Sequence, residues 1–563
     1  MQKPEAVGVP EFRREPAPSA GAGQTSNRIE GSRRWWVLAA VLITMFFSSM
    51  DQTVVSTAMP TIIGDLHGFD LYAWVFTAYM MAAAVTIPIY GKLSDMYGRK
   101  PFYLFGLVMF MVGSAISGQA HTMMTLVIAR AGQGIGAGAM MSMPRATIGD
   151  IFNPRERGRW MGVMGGVFGL ASIIGPTLGG WITDSFGWHW VFYINLPIAA
   201  VALIMVWLFM PTVRTDRVAR PDYLGSAVMV VALMSILLAF TWAGSQYAWG
   251  SWQILGLFAL GVVAAVAFVL VERRSADAIL APELFKNEIF TSSMVVGLLM
   301  SMGMFGALMF LPLYVQGALG YSAAASGGVL TPMMLSFIVG SVVGGQIMTR
   351  TGRYKLQAHV AAVVMVAGMF LLTRMNASTT LEGVIVDMIV LGLGIGALMP
   401  LLNVAVQNAF PYKIMGMVNS TQQFVQSLGG VIAAPILGTI MANTFARELP
   451  KHLPDTLKAS LAHLSPAARS ALGDPQALTT QAAQLAIKSD FTRFGASGLT
   501  LYHQFLNAVH VSLAIGIGDL FRVALALSIA ALLGTFFLRE VRLHNDEFYR
   551  QGQGDGGPAE EAQ

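Results

Sequence analysis

Long apolar runs recur along the whole chain, separated by short polar breaks. They lie at about 35–58, 72–90, 102–119, 124–144, 161–182, 190–210, 223–242 and 252–271. Six more follow at about 291–314, 326–348, 358–373, 383–404, 416–441 and 515–538. Crossing about 30 Å of hydrocarbon takes roughly 20 residues as a helix, and a helix satisfies its own backbone groups where no water can. The pattern therefore predicts an all-α polytopic membrane protein with fourteen transmembrane helices and both chain ends on one side. Residues 1–34 are polar and rich in Pro, Gly and Ser, which predicts a disordered tail. Residues 539–563 form a second tail.

Between the last two spans lies a long segment, 442–514. Ser465-Pro466 and Asp474-Pro475 each read as a helix N-cap followed by Pro at the first helical position. Leu449, Leu453, Leu457, Leu461 and Leu464 recur at helical spacing, so short amphipathic helices are expected there.

Basic residues fix the orientation. With the N-terminus inside, twenty-six of the 35 Lys and Arg fall in the tails and inner loops, among them Arg155, Arg157 and Arg159. The five outer loops before residue 325 contain none, and the next contains only Arg374. Arg130 and Arg522 lie within spans. Both termini are accordingly expected in the cytoplasm.

Composition narrows the class further. Of 563 residues, 55% are apolar and 12% charged, about half the charged share of a soluble protein. The absence of Cys removes disulfides, thiolate catalysis and Cys-based metal sites. The net charge of +5 is modest and no basic block suggests nucleic acid. No Gly-x4-Gly-Lys-Ser/Thr loop is present, so ATP is not expected to drive the protein. No catalytic residue, metal or cofactor is expected.

An internal repeat joins two parts of the chain. Gly91-x6-Gly98-Arg99 returns as Gly345-x6-Gly352-Arg353, and Gly132-x-Gly134-Ile-Gly136 as Gly392-x-Gly394-Ile-Gly396. Pro176 has a counterpart in Pro435. The offsets, 254, 260 and 259 residues, join equivalent spans of two six-helix halves, residues 35–210 and 291–538. Residues 211–290 are then a two-helix insert with its linkers. Parallel repeats of six helices place a transport site where the halves meet.

Four motifs carry a family resemblance. Gly91-Lys-Leu-Ser-Asp95-Met-Tyr-Gly98-Arg99-Lys100 matches the loop motif of the major facilitator superfamily between spans two and three. Arg130-Ala-Gly-Gln133-Gly134-Ile-Gly136-Ala matches its fourth-span motif. Gly166-x8-Gly175-Pro176-x2-Gly179-Gly180 matches its fifth-span antiporter motif. Asp51-Gln-Thr53-Val-Val-Ser-Thr-Ala58-Met-Pro60 matches the first-span motif of the fourteen-helix drug branch, with Ser56 where Asn is usual and Met50 and Met59 where Leu is. From about residue 35 to 540 the chain resembles the fourteen-helix drug:proton antiporters of that superfamily (the EmrB/QacA type).

The resemblance implies a proton carrier at Asp51, modulated by Arg130. An acid well inside a span is costly and marks function. The two residues sit at similar depth by the helical rise, so they can pair across spans one and four. It also implies a charge latch from Gly91, Asp95, Gly98 and Arg99 at the cytoplasmic face. Thr349 replaces the acid in the second copy. The outward direction of transport rests on the fifth-span motif.

Tyr79, Gln133, Asn195, Asn403 and Gln423, with Asp387 near the outer face, are the polar candidates for a substrate cavity. Spans nine, ten and thirteen hold no Asp or Glu, which predicts neutral or monocationic lipophilic substrates rather than dications. The function expected is a proton-coupled exporter, driven by the proton-motive force, in a bacterial cytoplasmic membrane. Its partners would be a small lipophilic substrate, H⁺ and the bilayer, with the protein a monomer. An exporter of a lipid or glycolipid cargo is the nearest alternative, kept open by segment 442–514. A non-transporting sensor has no use for Asp51 and Arg130. A membrane enzyme built on His452, His463, His503 and His510 lacks any matching motif.

Overall fold

The computed structural model describes residues 32–540, apart from 67–70, 153, 213–221, 245, 276–279, 281, 322, 411–413, 455–487, 490 and 492–497. The expected N-terminal tail, the Ser465 and Asp474 caps and most of the C-terminal tail lie outside these residues.

The first half comprises α1 (Arg33–Leu66), α2 (Tyr72–Tyr97), α3 (Arg99–Gly118), α4 (Met123–Ile151), α5 (Pro154–Phe186) and α6 (His189–Phe209), the last interrupted at Ile194. The insert is α7 (Tyr223–Trp242) and α8 (Trp252–Glu272). The second half holds α9 (Glu288–Leu313), α10 (Ala323–Thr351), α11 (Lys355–Thr373), α12 (Leu381–Asn408), α13 (Met415–His452) and α14 (Gly498–Phe536).

Among the described residues, thirteen of these helices are long and apolar enough to cross a membrane; α4 is the exception. Its lower hydropathy has a physical cause. It carries Arg130, Gln133, Arg145 and four alternating glycines, and from Gln133 to Gly149 it is mostly buried by protein. A stretch enclosed by protein needs no apolar surface, while Met124 and Ile128 at the other end of the helix are exposed and apolar.

The glycines of α4 serve two neighbours. A Cβ on Gly134 or Gly138 would strike α2 at the Tyr79 carbonyl or the Thr86 hydroxyl, and one on Gly136 would strike α3 at Gly106 and Phe110. In the second half Gly392 and Gly396 meet α10 at Met333 and Phe337, while Gly394 meets α11 at Met365. The structural equivalents are thus Gly134, Gly136 and Gly138 with Gly392, Gly394 and Gly396, a separation of 258 residues. The repeat read from sequence was two residues out of register, because alternating glycines match themselves when shifted by two.

The halves meet along α2 with α13 and α5 with α10. Gly91 lies so close to α13 that a Cβ would sit 1.9 Å from the Ser420 hydroxyl. Its repeat mate Gly345 lies equally close to α5, 2.3 Å from the Gly158 carbonyl by the same measure. The insert is peripheral: α7 packs on α2 and α13, and α8 on α7. Much of α8 faces outward with apolar side chains such as Val262, Val263 and Val266.

Segment 442–514 differs from the expectation at both ends. α13 runs on to His452 and α14 begins at Gly498, so its flanks continue the spans instead of forming separate short helices. At 38 and 39 residues the two helices reach roughly 57 Å, well beyond the bilayer core. Phe445, Leu449, Leu453, Phe491, Tyr502 and Phe505 pack between them, and this apolar seam sustains helices outside the hydrocarbon.

Candidate functional site

α1 brings Asp51 and α4 brings Arg130 into a site with no exposed surface. Arg130 Nη1 donates to Asp51 Oδ2 at 2.6 Å. The other carboxylate oxygen receives Gln133 Nε2 at 2.9 Å and Asn195 Nδ2 at 2.8 Å. Gln133 follows Arg130 by one turn, and its Oε1 accepts from Arg130 Nη1 at 2.7 Å. Asn195 enters from α6 just after the interruption at Ile194. Ser114 of α3 accepts from both amides, at 3.3 and 3.2 Å. The face of the guanidinium rests on the Tyr79 ring, 4.2 Å from its centroid, while Nη2 has no hydrogen-bond acceptor. A carboxylate so held is stable only while its charge is matched, because a lone charge at this depth is costly.

At the end of the bundle that carries the α2–α3 turn, Asp95 joins the two halves. Its oxygens accept the backbone N–H groups of Gly416 at 3.0 Å and Met417 at 2.7 Å, the first turn of α13. Free N–H groups and the helix dipole make that turn an anion site. Arg99 pairs with Asp95 at 3.3 Å and with Asp150 at the end of α4, and donates to Ser94 at 3.1 Å. Gly98, at φ +87°, makes the reversal that aims Arg99 back at α2. Thr349, in the second copy, turns its hydroxyl to the Gly345 carbonyl at 2.8 Å.

The fifth-span motif divides into two parts. Cβ atoms on Gly175 and Gly179 would strike Thr53 and Thr57 of α1, so these glycines let α5 lie against the helix that carries Asp51. A Cβ on Gly166 would sit 3.3 Å from an Ile338 methyl, a tight contact that a small shift relieves, and Gly180 faces open space. Pro176 lies in the same helix, its side chain outside the described residues.

A cavity of about 160 Å³ lies between the halves, walled by α1, α2, α4 and α5 on one side and α9, α10, α12 and α13 on the other. Nine of its wall residues are methionines, side chains that adapt to varied shapes. Tyr79, Asn403 and Gln423 face it, as do Gln52 and Gln426.

The sequence matches the Major Facilitator Superfamily over residues 41–434. The chain belongs to that superfamily. It is 43% identical over 410 residues to the multidrug transporter protein MdtP of Bacillus subtilis, covering 73% of this chain and 76% of that one. It is 38% identical to multidrug resistance protein 3 of the same organism, covering 78% and 85%. Among solved structures, the human organic anion transporter MFSD10 superposes with a TM-score of 0.59 at 15% identity, covering 91% and 100%. The proton:xylose symporter XylE superposes with 0.55 at 14%, covering 90% and 96%. These similarities establish the major facilitator fold, and the chain is a multi-pass membrane transporter, not an enzyme.

Within that facilitator fold three sequence assignments change. Gln133 and Asn195 do not reach the cavity, because both are spent on Asp51 and Ser114. Asp387 is half-buried on α12 and is absent from the cavity wall. Arg145 was counted with the loops because the apolar run was ended at residue 144. α4 continues to Ile151, so Arg145 is buried at 5% exposure and faces the cavity. One signal was available for Gln133: three residues from Arg130 on a helix, it shares that residue's face.

Proposed function

We propose that this chain is a proton-coupled exporter of lipophilic compounds in a bacterial cytoplasmic membrane, with both chain ends inside. The observation that carries the reading is the buried Asp51 cluster, in which one carboxylate holds Arg130, Gln133 and Asn195 at once. Protonation removes the charge that holds Arg130. The guanidinium then leans on what remains beside it, the Tyr79 ring, and Tyr79 also walls the cavity. Proton occupancy and cavity shape are linked through that one side chain.

The Asp95 latch belongs to the state in which the halves are closed at the α2–α3 end. That end carries Arg99, Arg157 and Arg159, which supports placing it in the cytoplasm. With the latch closed, a proton reaches Asp51 from outside; with the halves rocked the other way, the proton leaves inside while substrate enters the cavity. Each proton brings about 2.3 kcal/mol per 100 mV, plus the pH gradient. The multidrug relatives in Bacillus subtilis support outward transport of foreign lipophilic compounds.

The test is transport by the full chain in proteoliposomes under an imposed pH gradient, with a panel of lipophilic substrates. Uphill accumulation that collapses with the gradient and with Asp51→Asn is expected. Accumulation that survives either change overturns proton coupling at Asp51.

A further inference from the structure

The cavity wall holds a single charged side chain among the described residues, and it is a cation. Arg145 of α4 donates to Gln426 Oε1 of α13 at 3.2 Å, across the two halves. That bond fixes the Gln426 amide, leaving its Nε2 buried and without an acceptor. The rest of the guanidinium likewise has no carboxylate to meet, since no Asp or Glu lines the cavity. Asp51, behind Tyr79 and outside the cavity wall, is already engaged by Arg130. Arg130 and Arg145 are fifteen residues apart on one helix, roughly 22 Å.

The repeat sharpens the asymmetry. At the 258-residue separation of α4 and α12, the counterpart of Arg145 is Asn403, and both line the same cavity. Asn403 turns its amide N–H back to the Met399 carbonyl at 3.0 Å. Arg145 thus has no charged counterpart, and the cavity sets a cation from one half beside a spare N–H donor from the other. A buried donor left unpaired, as Gln426 Nε2 is, is costly, and a planar guanidinium with an adjacent N–H matches an oxyanion.

We infer that the cavity selects lipophilic monoanions, with Arg145 and Gln426 Nε2 as the recognition pair for a carboxylate or sulfonate and the methionine-rich walls for the apolar body. This rests on the export reading and names its substrate class. It replaces the neutral or monocationic class expected from the absence of acids in the second half. That reading took no account of Arg145.

The test uses three probes on one scaffold: pyrenebutyrate, pyrenebutanol and pyrenebutyltrimethylammonium. Equilibrium dialysis with the purified full chain in detergent reads binding, and proteoliposomes under a pH gradient read transport. The anion is expected to bind at least tenfold more tightly than the alcohol, and the cation most weakly. Arg145→Gln should lower the anion-to-alcohol affinity ratio at least tenfold, and Arg145→Lys should lower it less. Gln426→Glu, which supplies Arg145 with its own carboxylate, should turn the preference toward the cation. Equal binding of anion and alcohol by the parent overturns the inference, as does an unchanged ratio in Arg145→Gln or Gln426→Glu. Selective anion binding without gradient-driven transport leaves this site standing and overturns the export reading alone.

Discussion

The Tyr79 ring lies against the Arg130 guanidinium, 4.2 Å from ring centroid to cation, and the same side chain forms part of the cavity wall. Its hydroxyl donates a long bond, 3.4 Å, to the Ser48 carbonyl. The face of the ring should therefore matter more than its oxygen. A desolvated cation–π contact is worth about 2 kcal/mol. Tyr79→Phe is expected to keep gradient-driven transport within about threefold, and Tyr79→Leu to lower it at least tenfold. Initial rates in proteoliposomes measure both.

Asp51 and Arg130 stabilise each other inside the bundle, so removing one strands the other. Breaking such a buried pair costs about 3–5 kcal/mol. Asp51→Asn is expected to unfold at a clearly lower temperature than the parent, and the double variant with Arg130→Gln to recover most of that loss. Neither should accumulate substrate under a pH gradient. Recovered transport in the double variant would reduce the pair to a structural tie.

Asp95 holds two main-chain N–H groups of α13, each charge-assisted bond worth about 1.5–3 kcal/mol. Asp95→Ala should open the α2–α3 end roughly a hundredfold more often. Thr147, buried on α4 behind this contact, reports the change as Thr147→Cys in a chain with no native Cys. Thiol labelling at that site should be slow with Asp95 present and at least tenfold faster in Asp95→Ala.

Gly175→Ala would place a methyl 1.9 Å from the Thr53 hydroxyl and 2.9 Å from its Cβ, forcing α5 away from α1. Overpacking of this kind costs about 1–3 kcal/mol. Thr53→Ala should restore part of the lost thermal stability. Gly180→Ala, with open space around it, should be neutral by the same measurement.

The spans, the repeat and the Asp51–Arg130 pairing were legible because each is written in features that survive one dimension: apolar length, recurring glycines, and depth counted from a helix end. What was not legible depended on a helix's azimuth or its true end. Asn195 is on α6, and nothing in its spacing tells that the break at Ile194 turns it toward Asp51. Arg145 was missed because hydropathy ends a span where charge begins, whereas α4, enclosed by protein, carries its charge one turn further in. α13 and α14 outrun their apolar cores because they pack on each other, a pairing that no single segment announces.

The latch at Asp95 closes on peptide groups, not on a side chain of the opposite half. At position 416 the receiving half must keep glycine, because a Cβ there would sit 2.2 Å from the Asp95 oxygen it has to admit, whereas at 417 a residue that keeps the helix leaves the N–H group in place. Proline fails at either position, since it deletes the donor. The contact is written on one side in a single carboxylate and on the other in the backbone itself, and what α13 must defend there is the absence of a side chain at Gly416.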